Sequence, residues 1–153
     1  MKNGLLALLF FIGIAADQVA KNWAIKLFQN QELFAVCDVF NISFVMNKGV
    51  SFGFLRAGEV YQTYLLILMA VVLCVIVGYW FYKATCYFQK FFYTLILSGA
   101  VGNIWDRYAY GAVVDFLDLH YKSYHWPAFN IADVLISLGV IGILLISFRQ
   151  KSE

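Results

Sequence analysis

Charge is scarce in this sequence, since only 13% of its 153 residues are charged, and proline occurs once. Soluble domains have about 25% charged and about 45–50% apolar residues. Here 63% of the residues are hydrophobic and the mean hydropathy is +0.76. This composition excludes an ordinary soluble domain and predicts one integral membrane domain over residues 1–153. The sequence also has no basic run, so nothing indicates that it binds nucleic acid.

Cysteine and histidine are too few and too scattered for a metal centre. No two of the three cysteines have metal-ligand spacing, so we expect isolated thiols at Cys37, Cys74 and Cys86. A site built from Asp118, His120 and His125 fits no standard spacing of ligands on a helix. We therefore expect no metal and no other cofactor.

Four hydrophobic stretches predict an all-α membrane protein with four transmembrane helices, at about 5–28, 61–82, 91–110 and 131–148. A span needs about 20 residues, and the second and fourth stretches meet this outright. The first is long enough only if its helix continues past Asp17. The third requires Asn103, Asp106 and Arg107 to face the interior of the bundle. The first stretch also resembles a signal peptide, but its helical pattern continues past the small residues at Ala15 and Ala16.

The basic residues set the predicted orientation. The two sides of the membrane would hold five and six basic residues, so the raw count does not decide. One side, however, concentrates its five in very short segments, namely Lys2, Lys83, Lys90, Arg149 and Lys151. We therefore place both termini in the cytoplasm and the two long connectors, 29–60 and 108–130, outside.

The outer connectors carry strand-like patterns. Phe40, Ile42, Phe44 and Met46 alternate with other residues over 40–47, a period of two that predicts a half-buried strand. A weaker run covers 112–119. The sequence thus predicts a small extracytoplasmic β element resting on the four helices.

Four carboxylates converge at one predicted depth. A rise of about 1.5 Å per residue places Asp17, Asp106 and Asp133 near the outer third of the membrane. A turn after Gly111 would return Asp115 to the same level. Ionisable groups at such a depth indicate a functional site. Two close carboxylates that share one proton are the chemistry of an aspartic protease.

Local, purely structural interpretations compete with this one. Asn130 and Asp133 have the spacing of a capping box at a helix N-terminus. Asp17 and Lys21 are four residues apart on one helix, as in an ordinary ion pair.

Further alternatives apply to the third stretch and the outer connector. Asn103 and Arg107 could simply bond across the bundle. Asp118, near His120, fits a solvated edge. A small transporter or channel lined by buried charge is a different functional alternative. It is disfavoured because the charges gather at one depth and leave the cytoplasmic half apolar.

Four ordered motifs resemble those of the lipoprotein signal peptidases, also called signal peptidase II. Asp17-Gln18-Val19-Ala20-Lys21 resembles the DQxxK motif of the family, and Asn47-Lys48-Gly49-Val50-Ser51-Phe52-Gly53 resembles NxGxxFG. Gly102–Arg107 with Gly111–Phe116 resembles GNxxDR…GxVxDF, and Trp126–Asp133 resembles WPxFNxAD. The sequence departs at Val50-Ser51, where the family usually has two alanines. Together the motifs run nearly end to end through the chain.

The resemblance implies a multi-pass aspartic endopeptidase of the bacterial cytoplasmic (inner) membrane, with an outward-facing site. Its substrates would be prolipoproteins with a diacylglyceryl-modified cysteine, cut on the amino side of that cysteine. The implied catalytic pair is Asp115 and Asp133. The implied supporting residues are Asp17, Lys21, Asn47, Gly49, Asn103, Asp106, Arg107 and Asn130. The resemblance also implies contact with membrane lipid and inhibition by the antibiotic globomycin, and we expect a monomer.

A serine hydrolase is the remaining enzymatic alternative. Gly49-Val50-Ser51-Phe52-Gly53 matches G-x-S-x-G, and two histidines are available. That motif indicates a nucleophile only between a strand and a helix of an α/β sheet. Since the sequence predicts no such sheet, we expect Ser51 to be dispensable.

Overall fold

A computed structural model of the chain describes residues 2–28, 33–49 and 59–151. These residues form four helices and four strands. In chain order they are α1 (Lys2–Leu27), β1 (Leu33–Cys37), β2 (Phe40–Asn47), α2 (Glu59–Lys83), α3 (Tyr87–Tyr110), β3 (Val113–Tyr121), β4 (Tyr124–His125) and α4 (Ile131–Lys151). The prediction of a mostly helical protein with a small β element is confirmed.

Three helices in the described part of the chain are long and apolar enough to cross a membrane: Asn3–Leu27, Tyr61–Lys83 and Ile131–Gln150. The remaining helix, α3, is the central one and packs against α1, α2 and α4. Its buried residues include Ser98, Asn103 and Asp106. Because its neighbours cover these polar side chains, α3 does not need the apolar surface that a lipid-exposed span requires.

Small residues bring α3 close to its neighbours. A Cβ atom at Gly102 would lie 2.6 Å from Asp17 Oδ2, so this position of α3 admits only glycine beside the carboxylate of α1. A Cβ atom at Gly139 of α4 would lie 2.7 Å from the carbonyl oxygen of Phe92. A methyl group would require the Asp17 carboxylate to move at the first position and the backbone of α3 to move at the second. The three helices thus form a tightly packed unit around the polar residues of α3.

Helix α3 ends at Gly111, as the sequence predicts. Gly111 has φ 73°, in the left-handed region that favours glycine, and its N–H donates to the carbonyl of Arg107 at 3.0 Å. The turn lets β3 begin at Val113, only two residues later. Asp115 is therefore carried back toward the end of α3 instead of continuing away from it.

The four strands form an antiparallel series in the order β1-β2-β3-β4. Strand β2 has the predicted bounds, whereas β1 has no counterpart in the sequence-based prediction. Asn41 and Ser43 of β2 are buried, while its apolar face is only partly covered. Backbone hydrogen bonds join Leu117 and Phe129 in both directions, at 2.8 and 3.0 Å. They hold the segment that enters α4 against β3.

Candidate active site

Asp115 lies in β3 and is almost completely buried, with 1% of its surface exposed. Both of its carboxylate oxygens accept hydrogen bonds from side-chain amides. Asn130 Nδ2 donates to Oδ1 at 2.6 Å, and Asn47 Nδ2 donates to Oδ2 at 2.8 Å. These donors come from the start of α4 and the end of β2, so three separate segments meet at this carboxyl group.

Asp133 lies in the first turn of α4 and is only partly buried. Its Oδ1 accepts a hydrogen bond from Asn103 Nδ2 at 2.9 Å. The predicted capping box is also present: the Asp133 N–H donates to Asn130 Oδ1 at 2.9 Å, and the Asn130 N–H donates to Asp133 Oδ2 at 3.3 Å. Asp133 therefore caps the N-terminus of α4 and also belongs to the polar site.

The amide groups around the two aspartates are oriented by what their oxygens accept. Asn103 Oδ1 accepts from Lys21 Nζ at 2.9 Å and from Asn130 Nδ2 at 3.2 Å. Asn47 Oδ1 accepts from the Gly49 N–H at 2.8 Å. With their oxygens so engaged, the amides turn their NH₂ groups toward the carboxylates. Gly49 itself has φ 82°, which explains why a glycine occupies this position.

Asp17, Lys21 and Asp106 form a buried ion triad. Lys21 Nζ lies 2.7 Å from Asp17 Oδ2 and 2.8 Å from Asp106 Oδ2, and none of the three side chains is more than 2% exposed. The predicted i,i+4 pair of Asp17 and Lys21 is therefore confirmed, but as part of a larger cluster. Both carboxylates also accept backbone N–H groups, Asp17 from Ala132 at 2.8 Å and Asp106 from Val114 at 3.1 Å.

The triad holds the two chain segments that carry the aspartate pair. Val114 immediately precedes Asp115, and Ala132 immediately precedes Asp133. The hydrogen bonds from these backbone groups therefore fix β3 and the first turn of α4 to the side chains of α3 and α1. Among the described residues, the hydrogen bonds of the triad reach the pair through the backbone of Val114 and Ala132, and the charge of Lys21 also acts on Asp115.

Gln18 is a member of this network that the sequence analysis did not single out. Its Nε2 donates to Asp106 Oδ1 at 2.9 Å, to Asp17 Oδ2 at 3.3 Å and to the carbonyl of Gly102 at 3.3 Å. Its place beside Asp17 in the first motif was the available signal. Gln18 thus donates to Asp106 Oδ1 and to the Gly102 carbonyl, and it shares Asp17 Oδ2 with Lys21.

Arg107 is the other cation of the site. Its positive charge is close enough to interact electrostatically with the carboxylates of Asp133 and Asp115. One guanidinium NH₂ group donates a hydrogen bond to the carbonyl of Asn103 at 3.3 Å. Its Nε is buried and has no hydrogen-bond partner among the described residues. Arg107 also lines two cavities, one of about 310 Å³ near Lys48 and one of about 270 Å³ between α2, α3 and α4. An unused donor thus lies beside the space that a substrate could occupy.

Burial sets the protonation of Asp115. Loss of hydration raises the pKa of its carboxyl group from 3.8 to about 6, and the charge of Asp133 acts in the same direction. Hydrogen bonds from Asn47 and Asn130 and the charge of Lys21 oppose the rise. The carboxyl group therefore exchanges its proton close to neutral pH.

Asp118 is not the solvated edge that the sequence suggests. It is buried, with 6% of its surface exposed, and accepts from Asn41 Nδ2 at 3.0 Å. His125 Nδ1 hydrogen-bonds to it at 2.9 Å. Burial alone would raise the pKa of Asp118, but these two partners hold it below its usual value. Cross-strand packing brings together side chains that are 77 residues apart, which explains why the local sequence is misleading.

Other expectations from the sequence have different outcomes. Cys37, Cys74 and Cys86 are free, as expected. Within residues 2–28, 33–49 and 59–151, no three His, Cys, Asp or Glu side chains are grouped as metal ligands. The segment Val50–Gly53, which includes Ser51, lies outside the described residues.

Comparison with known proteins identifies the family. Residues 9–149 match the family model described as signal peptidase (SPase) II. The lipoprotein signal peptidase of Pasteurella multocida (strain Pm70) is 37% identical over 155 residues, covering 99% of this chain and 94% of that protein. The one of Vibrio cholerae serotype O1 (strain M66-2) is 38% identical over 156 residues, covering 97% and 87%.

Solved structures agree with the sequence comparison. One bacterial membrane enzyme has a TM-score of 0.82 and 29% identity, covering 97% of this chain and 90% of its own. A second has a TM-score of 0.79 and 30% identity, covering 94% and 92%. With matching motifs, matching fold and near-complete coverage, the chain belongs to the signal peptidase II family.

Proposed function

We propose that Asp115 and Asp133 are the catalytic pair with which this chain performs the lipoprotein signal peptidase reaction. The substrate is a prolipoprotein whose lipobox cysteine carries a diacylglyceryl group, and the bond cut lies on the amino side of that cysteine. The observation that carries the proposal is Asn130, which hydrogen-bonds to both aspartates and so ties them into one unit. The transporter alternative gains no support from the comparisons.

The pair supplies both halves of acid–base catalysis. Two close carboxylates cannot both ionise cheaply, so the pair shares one proton. The ionised carboxylate accepts a proton from water, whose oxygen attacks the scissile carbonyl. The protonated carboxyl polarises that carbonyl and then protonates the departing amine of the lipidated cysteine. Proton transfers therefore balance without any further group.

The surrounding residues orient the pair and the substrate. Asn47 and Asn130 hold Asp115, and Asn103 holds Asp133. Arg107 has a buried Nε with no hydrogen-bond partner among the described residues and lines two cavities at the site, so it suits the binding of a substrate carbonyl. Asp17, Lys21 and Asp106 act through the backbone of Val114 and Ala132, as described above.

We also propose that α3 completes a set of four spans, with both termini in the cytoplasm of a bacterium and the site facing outward from the inner membrane. In support, the C-terminus of α3, the N-terminus of α4 and the sheet all lie at one end of the bundle. Lipid tails of the substrate can then remain in the bilayer while the peptide bond meets the aspartates. Since one chain supplies both aspartates, the protein is proposed to work as a monomer.

Cleavage of a synthetic lipobox peptide in detergent tests this function. The wild-type protein should release the signal fragment from the diacylglyceryl-modified peptide, and globomycin should block the release. Asp115→Asn and Asp133→Asn should each abolish it, while Ser147→Ala, on the exposed cytoplasmic half of α4, should behave as wild type. Turnover by either aspartate variant would remove the aspartic mechanism. Absence of any cleavage by folded wild-type protein would remove the function itself.

A further inference from the structure

A wide apolar groove runs along α4 beneath the hairpin of β3 and β4, and we name it the α4–hairpin groove. It has a volume of about 620 Å³. Its lining includes Asp133 together with Trp126, Phe129, Val134, Ser137 and Leu138. Most of this lining is apolar, with Asp133 and Ser137 as its polar exceptions, so the groove suits a hydrocarbon ligand.

The groove is open to the surroundings of α4 and reaches only a short way down the helix. Val134 is 37% exposed and Leu138 is 52% exposed, although both are apolar and lie on a helix apolar enough to span a membrane. Five residues separate Asp133 from Leu138, which corresponds to about 7.5 Å along the axis. A ligand in this groove therefore lies beside the catalytic pair at a shallow depth and is accessible from the lipid.

The other apolar cavity at the site has a different shape. It measures about 270 Å³ and extends along α3 from Arg107 to Ile96, which is roughly 16 Å of helix. Asn103 and Arg107 line this cavity, so it offers the polar groups that a peptide backbone requires. The two cavities thus differ in both volume and depth, and they can receive different parts of one substrate.

We propose that the α4–hairpin groove binds an acyl chain of the diacylglyceryl group, an inference that rests on the proposed function. The lipid is attached to the sulfur of the residue that follows the scissile bond, only a few covalent bonds from the atoms that react. When the aspartate pair holds the scissile bond, the glyceryl group must therefore lie next to it. The groove includes Asp133, continues along α4 past the exposed Val134 to Leu138, and provides the apolar surface that such a chain requires.

Filling the groove at Ser137 tests the proposal, because the same helix offers a matched control. Ser137 and Ser147 are both exposed serines of α4, but only Ser137 lines the groove. The two variants Ser137→Phe and Ser147→Phe are compared on peptides that carry either palmitoyl or butyryl chains. For Ser137→Phe, the ratio of kcat/KM for long over short chains should fall about tenfold, as expected for losing roughly two buried methylene groups. For Ser147→Phe the ratio should stay at the wild-type value.

An unchanged ratio in Ser137→Phe would overturn the groove assignment, even with full cleavage activity. If the wild-type protein cleaves neither peptide, the proposed function fails instead. A second experiment covers a variant that does not fold. Wild-type protein is irradiated with a peptide that carries a diazirine on its acyl chain, and adducts are mapped by mass spectrometry. Adducts on Val134, Ser137 or Leu138 support the groove, whereas adducts confined to the α2–α3 cavity, such as Leu73 or Ile96, contradict it; the labelling requires no cleavage.

Discussion

Replacing Asp115 by asparagine should change how the stability of the folded protein depends on pH. In the wild-type protein the Asp115 carboxyl has a pKa of about 6, against 3.8 when it is not perturbed. Between these two values the folded state holds a proton that the unfolded state has lost. Stability from this group is therefore complete below about pH 4 and falls as the pH rises toward 6. Asparagine cannot ionise, so the variant lacks this loss.

The magnitude follows from the shift in pKa. About two pKa units at 1.36 kcal/mol each correspond to about 3 kcal/mol. The free energy of unfolding of Asp115→Asn, relative to wild type, should therefore rise by about 3 kcal/mol between pH 4 and pH 7. For a chain of this size, that corresponds to roughly 6–12 °C in the relative melting temperature. Any constant cost of a misdirected amide hydrogen bond cancels, because only the change with pH is compared.

Thermal unfolding in detergent, followed by tryptophan fluorescence at several pH values, measures the effect. Ser147→Ala is the control, since Ser147 is an exposed residue of α4 that carries no ionisable group. The difference between this variant and wild type should therefore stay constant from pH 4 to pH 7. A flat profile for Asp115→Asn, or one of opposite slope, would refute the assignment of Asp115 as the buried, proton-exchanging carboxyl.

Three further variants test the network in cleavage and unfolding assays. Asp133→Asn should abolish turnover and cost no more than about 1 kcal/mol of stability, since asparagine retains most of the cap; its combination with Asp115→Asn should be scarcely worse than either alone. Substantial activity with a lost cap would instead assign Asp133 a purely structural role. Lys21→Met should destabilise the fold by about 3–5 kcal/mol because two buried carboxylates lose their cation, and a wild-type melting temperature would contradict this. Arg107→Ala should lower kcat about 10²–10³-fold, as expected for loss of a donor to the reacting carbonyl, and an unchanged kcat would remove that role.

The rise per residue of an α-helix was sufficient to predict which carboxylates lie at the same height in the bundle. Asp17, Asp106 and Asp133 lie on helices, where the rise per residue fixes their relative heights. Gly111 marks the end of α3, so the sequence also predicted that the chain turns there and brings Asp115 back to the same height. These predictions depend only on distances along regular elements and on one residue with a special backbone conformation.

Interactions across strands and between amides could not be read from the sequence. The burial of Asp118 depends on Asn41, whose position opposite it is set by the pairing of β2 with β3. Strand β1, Leu33–Cys37, lacks a regular alternation of polar and apolar residues, so its sequence has no period of two that would predict a strand. The orientation of Asn103 depends on Lys21, a residue of another helix. Each of these features is a product of tertiary packing.

The buried triad also bears on how the chain enters the bilayer during synthesis. A lone charge in a helix is costly to insert, but α1 carries Asp17 and Lys21 one turn apart and 2.7 Å from each other. It can therefore cross as a locally neutral helix before α3 has been made. Helix α3 carries Asp106 and Arg107 as adjacent residues, which do not face each other on a helix but leave that segment without net charge. When the two helices later associate, Lys21 acquires Asp106 as a second partner, and Arg107 is left to act on the aspartates of the site. Assembly of the bundle thus brings together two segments whose charges at this level already sum to zero before the helices meet.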